Sequence, residues 1–403
     1  MCHDRPIGAQ RQRPRMLAHR RAGMAVVGML GIAASACGSH PKAPLPSTTT
    51  NKPATSGGPG GLTWAVPAKG ARFVATSSTT LFTANRGLVH AYSLANGHLF
   101  WIAKLNGFLP TTAASFADGM LLAGEGGKGA KALFVSPAGK VSWQTRLQGQ
   151  PESISAYGSQ AAVLTRLAGG GYQVHIVNDT GPVSTADAPA SVGSGALMAA
   201  SASGIYISAK TSTGPGLALK SSSTSGLWIT IPYPAPRGGR ACRAVSLFAA
   251  GSRVVQSIRC QGSGGRGIFQ TYATDGAGLL LNTISAEALG TAGGLILAAG
   301  PSGLAGFYPQ GSPAWATKTT GGALVAGLGT VAVVALGAHD IQAISTAKGS
   351  TAWRRALPAP LVSPAGKSGW SRVQPFRASA DPGGFAMILK DSGGHHWICQ
   401  FAA

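Results

Sequence analysis

A glycine followed four residues later by a tryptophan recurs along this chain at regular intervals. The clearest copies are Gly97/Trp101, Gly139/Trp143, Gly311/Trp315 and Gly349/Trp353. Each follows a short apolar run, such as Leu88-Val-His-Ala-Tyr-Ser93 or Ile341-Gln-Ala-Ile-Ser345, in which alternate side chains share one sheet face. Worn copies keep the turn. Gly181 and Gly276 have no tryptophan after them, and Gly226 has it displaced to Trp228. The seven turn glycines are 42, 42, 45, 50, 35 and 38 residues apart.

A period near 42 residues holds four short strands and their turns. Long helices do not suit this chain: it carries 59 glycines and 25 prolines, and each interior glycine costs a helix about 1 kcal/mol relative to alanine. One four-stranded sheet cannot bury both of its faces. Radial stacking of such sheets does bury them and leaves only short edges. The expected fold is therefore all-β, a β-propeller of four-stranded blades. Trp64 opens the repeat region without three strands before it. Phe385–Leu389 and His396–Phe401 end it without a tryptophan strand after them. Residues 62–67 are thus expected to complete the last blade, giving eight blades, with seven as the alternative.

The four full copies resemble the repeat of pyrroloquinoline-quinone-type propellers, in which a G-x-x-x-W strand follows a strand like Val89-His-Ala-Tyr92. The resemblance covers most of residues 62–403. It implies a propeller and two functional classes. One comprises quinone-dependent dehydrogenases, which hold Ca²⁺ through carboxylate and amide oxygens, use an aspartate base and often carry adjacent cysteines. The other comprises binding propellers of the barrel-assembly type. This chain has no Cys-Cys pair and only 11 acidic residues, which are widely scattered, whereas a hard cation needs six or more oxygen ligands. The expectation is a binding scaffold with no catalytic residue, metal or cofactor, and the dehydrogenase is the alternative.

The N-terminus reads as an address. Basic residues 1–22 precede an apolar run of about 14 residues ending at Ala36. That run is too short to cross a bilayer, which takes roughly 20, but it fits a signal peptide. Ala34-Ser35-Ala36-Cys37 resembles a bacterial lipobox, which implies that residues 1–36 are removed and Cys37 is acylated. Ordinary Ala-x-Ala cleavage is the competing reading. Residues 37–61 are rich in Pro, Ser, Thr and Gly and cannot bury enough surface to offset the entropy of ordering. They are expected to be a lipid-anchored disordered linker, followed by the propeller over 62–403. The expected place is outside the cytoplasm, anchored to the outer face of the cytoplasmic membrane or the periplasmic side of an envelope membrane.

The formal net charge is +22, and +17 remains beyond residue 36. Such a chain is drawn to anionic surfaces. Export disfavours nucleic acid and leaves envelope proteins or an anionic envelope polymer as partners. Arg237, Arg240, Arg243, Arg253, Arg259 and Arg266 cluster within 30 residues and form the candidate anionic contact. They surround Cys242 and Cys260, which fall opposite each other if Gly251 is a hairpin turn. A disulfide is expected there, with Cys399 left as a buried thiol. His395-His396 is a poor metal site, because neighbouring strand residues point to opposite faces.

Overall fold

A computed structural model describes residues 58–403 except 69, 86, 223–226, 263–266, 277–278, 301–302, 320, 360, 363–369, 373–377 and 382. The expected signal peptide, Cys37 and most of the expected linker lie outside the described residues. Within them the structure is all-β, with eight sheets in a ring, antiparallel but for one short added strand.

Blade one comprises strands Phe73–Thr76, Thr80–Ala84, Leu88–Ser93 and Leu99–Lys104, paired in that order. Blades two to seven follow the same plan over residues 109–146, 150–187, 198–232, 240–284, 287–317 and 322–356. Blade eight joins the two ends of the described chain. Its inner strands are Ala378–Asp381, Gly384–Lys390 and His396–Ala402, and its outer strand is Leu62–Pro67. Leu62 pairs with Phe401 and Pro67 with Trp397, so the ring closes through hydrogen bonds between segments more than 300 residues apart. Blade seven carries one addition, a short strand Trp370–Arg372 running parallel to Gly322–Gly327 on the inner side.

The core is divided among the blade interfaces. Eight apolar clusters occur, each built from two neighbouring blades. Between blades one and two, for example, Phe82, Val89 and Ala91 meet Met120, Leu122 and Leu133, all essentially inaccessible. Alternation along each strand sends successive residues to the two interfaces, so every blade contributes to both.

The glycine–tryptophan repeat links one blade to the next. Trp101 in the outer strand of blade one lies against Gly139 in the turn of blade two. Its indole N–H donates to the carbonyl of Pro137 at 2.7 Å. Trp64 does the same to Gly97 and Leu94, and Trp315 to Gly349 and Thr346. Gly139 has φ +76°, and an added Cβ would lie 2.7 Å from the Trp101 ring. The position therefore needs glycine twice, for the turn and for the indole. Trp143 donates to Asp179 of blade three in the same way. Trp228 departs from the pattern: it packs into the interface with blade three, behind it in the chain, and not toward blade five.

Candidate functional site

The order of the strands determines which loops share a face. Each blade has four alternating strands, so the first–second and third–fourth turns emerge on one side. This is termed the turn face. The second–third turns and the connections between blades emerge on the other, the loop face. Among the described residues, the turn face has five basic side chains (Lys140, Lys220, Arg253, Lys348 and Arg355, which reaches Pro59) and three acidic ones (Asp118, Asp179, Asp275). Its formal surplus is two positive charges. The loop face and the strand ends leading to it carry fourteen basic against six acidic residues among those described, so most of the net charge of the described propeller is concentrated there.

Apolar exposure runs the other way. The large exposed apolar side chains, among them Phe100 at 53%, Leu227 at 73% and Leu279 at 64%, lie on the turn face or along the outer strands. Leu109 is the one at the loop face among the described residues. The described chain enters the ring at Gly58–Gly60, in the last turn of the turn face, where Gly60 packs against Trp353.

The arginine cluster sits mainly on the loop face. Arg237 lies in the connection from blade four to blade five. Arg240 and Arg243 begin strand Arg240–Ala250, and Arg259 ends strand Arg253–Gln261. Arg253 is a correction to the cluster. It follows the Gly251 turn, so the hairpin carries it to the turn face, about 20 Å from Arg259 at the usual rise per residue. Arg266 lies outside the described residues. Arg243 and Arg259 are direct cross-strand partners. Arg259 also sits over the ring of Phe269 on the third strand, 5.4 Å from its centroid. None of Arg237, Arg240, Arg243 or Arg259 makes an ion pair among the described residues.

Cys242 and Cys260 form a disulfide in this hairpin, with Cα atoms 4.0 Å apart. A bulge between Arg240 and Arg243 and a positive φ of 47° at Ala241 turn Cys242 toward Cys260. The disulfide packs toward blade four with Tyr233 and Tyr272. Their rings stack at 4.4 Å, and burial raises both phenols, that of Tyr272 to about 12. Next to the hairpin, a cleft of about 550 Å³ opens between blades four and five, lined by Gly193–Ala196, Lys210, Cys242 and Arg243. Lys210 was missing from the arginine cluster because it lies a blade away in sequence. The signal for it was the parity of the turns, which assigns every loop of a four-stranded repeat to one face or the other.

The other polar groups are structural. Asp391 accepts the Trp397 indole N–H at 3.1 Å and the His395 amide at 2.9 Å, and its carboxyl is held down to about 2. His396, next to His395, starts the final strand. Cys399 is a buried free thiol whose pKa burial pushes up. Glu152 pairs with Arg166, and Asp340 with Arg354. No three His, Cys, Asp or Glu side chains converge among the described residues.

No family model matches the chain, and no curated protein matches it significantly. Solved structures do. BamB from Moraxella catarrhalis superposes with a TM-score of 0.54 at 13% identity, covering 85% of this chain and 99% of that one. A quinohemoprotein alcohol dehydrogenase from Comamonas testosteroni gives 0.50 at 11% identity, covering 85% of this chain and 76% of that one. At such identities the likeness concerns architecture, and both functional classes are represented in it. The chain is thus an eight-bladed β-propeller with the fold shared by these two proteins.

Proposed function

We propose that this protein is an envelope lipoprotein whose propeller is a binding scaffold, with the basic loop face as its contact surface. The separation of charge between the two faces carries this reading. A surplus spread evenly would serve solubility alone, whereas a surplus gathered on one face creates a directed field that attracts an anionic partner. The entry of the chain on the less charged face supports it as well. A lipid on Cys37 and a linker over 37–61 would hold the propeller by that side and leave the basic face open to other envelope components.

The experiment has two arms. Cys37→Ala should release the full chain from membranes or leave it unprocessed. Full-chain protein purified in detergent should retain envelope fractions in low salt and lose them as salt rises, because screening shortens the reach of surface charge to about 8 Å near 0.15 M. Wild-type fractionation of Cys37→Ala would refute the anchor. Salt-independent retention would refute the charged contact. Turnover of an alcohol with added quinone and Ca²⁺ would replace the scaffold with the dehydrogenase.

A further inference from the structure

Resting on the scaffold reading, we infer that the cross-strand pair Arg243/Arg259 is the anion-binding centre of the loop face, and that its ligand is the phosphate group of a phosphodiester polymer.

Directly paired residues on antiparallel strands stand on the same side of the sheet, with Cβ atoms about 4.5–5.5 Å apart. Two like charges held there repel each other. Arg243 and Arg259 occupy such a pair with no carboxylate partner among the described residues. An anion between them converts that repulsion into two charge-assisted contacts. The Arg259 side chain and the backbone beside Arg243 are also held in place. The Phe269 ring lies under the Arg259 guanidinium, and the disulfide fixes Cys242, the residue next to Arg243. Side chains fixed in advance lose less entropy on binding. Guanidinium forks match the oxygens of a phosphate better than an ammonium does.

Further cations extend the site in two directions. Arg240 stands three residues before Arg243 on the same strand. Lys210 shares with Arg243 the lining of the cleft between blades four and five. A linear chain of regularly spaced phosphates can meet several of these in register, whereas a single free phosphate meets only one locus. A lipid surface fits less well. Membrane-docking faces place apolar side chains beside their cations, and the exposed apolar residues described here are gathered away from the loop face.

The test measures binding of the full chain in detergent to poly(glycerol phosphate), to inorganic phosphate and to phosphatidylglycerol vesicles. The variants are Arg243→Ala, Arg259→Ala, Arg243→Lys and, on the turn face, Lys348→Ala. The polymer should bind in a salt-sensitive manner. Arg243→Ala and Arg259→Ala should each weaken it roughly tenfold or more, the usual scale for a charge-assisted hydrogen bond. Arg243→Lys should fall between, and Lys348→Ala should match the parent. Unchanged melting temperatures would show that the variants fold, and for any variant that melts early Arg243→Lys is the decisive comparison. Polymer binding that ignores Arg243 and Arg259 but falls when Lys104 and Lys128 are reversed to glutamate overturns this centre and leaves the basic-face scaffold standing. Vesicles bound more tightly than polymer overturn the choice of ligand. No salt-sensitive binding to any of the three probes overturns the centre, and the scaffold reading then rests on envelope retention alone.

Discussion

The indole of Trp353 covers Gly60, where an added Cβ would lie 2.5 Å from its ring. The same contact recurs between Trp101 and Gly139, but here it joins blade seven to the segment that completes blade eight. The Arg355 guanidinium reinforces it by donating to the Pro59 carbonyl at 3.2 Å. The closure of the ring therefore uses the interblade contact seen elsewhere, supplied by the first described residues.

Removal of residues 58–67 should expose the edge of strand His396–Ala402 and open blade eight. Trp353→Ala should weaken the same joint by about 3 kcal/mol, the lower end of the range for losing a large aromatic from a packed site. Hydrogen exchange should show the loss concentrated in Leu62–Pro67 and His396–Ala402. Uniform loss of protection around the ring would contradict this.

Gly139→Ala and Gly158→Ala separate two demands made on glycine. Both have positive φ, at +76° and +57°, but Gly139 faces the Trp101 ring while nothing lies within 4 Å of Gly158. Gly158→Ala should cost about 1 kcal/mol for the backbone alone. Gly139→Ala should cost roughly twice that or more, because the indole must move. Equal midpoint shifts in urea would show that the tryptophan contact adds nothing.

The Cys242–Cys260 disulfide spans a sequence separation of 18 residues. The chain-entropy relation assigns such a loop about 3 kcal/mol. Cys242→Ser should lower the denaturation midpoint accordingly, and reductant should reproduce the effect in the parent but not in the variant.

Two buried groups set the response to acid. Asp391 is held at about 2, chiefly by the Trp397 indole N–H, with the His395 amide and ring beside it. Its folded pKa lies below the unfolded one. Its contribution is therefore complete above about pH 4 and disappears as pH falls toward 2. His175 is buried between Thr165 and Thr185, and burial lowers its pKa from 6.5. It favours the neutral ring, so its contribution is present above pH 6.5 and is lost as pH falls below that value. Urea midpoints should decline in both windows. Asp391→Asn should flatten the lower one, and His175→Gln the upper.

The blade plan was legible in the sequence because Gly139 and Trp101 advertise two sides of one contact. A tight turn calls for glycine and an interblade plate calls for a large aromatic, and their spacing repeats with the blade. The motif fades after Gly181, where the outer strand Gly181–Asp187 carries no tryptophan. Trp228 misled because spacing alone does not show which interface a strand residue enters, and it enters the one behind it. The inner strand Trp370–Arg372 was invisible, since three residues carry no period. The site was legible in part. Proximity in sequence gathered Arg243 and Arg259, which pair across the strands, but it also gathered Arg253, because a hairpin brings its two ends together and sends its turn to the far side. Lys210 required the third dimension.

The outer strand of blade eight also bears on how the protein carries load. Anything that pulls on the chain before residue 58 pulls first on Leu62–Pro67, whose start lies at the turn face. Tension directed away from that face runs along the strand, so the hydrogen bonds to His396–Ala402 are strained together in shear. Tension directed sideways reaches Gly60 first and opens them one at a time. A propeller held at this point resists being drawn straight off a surface far better than being peeled from its rim.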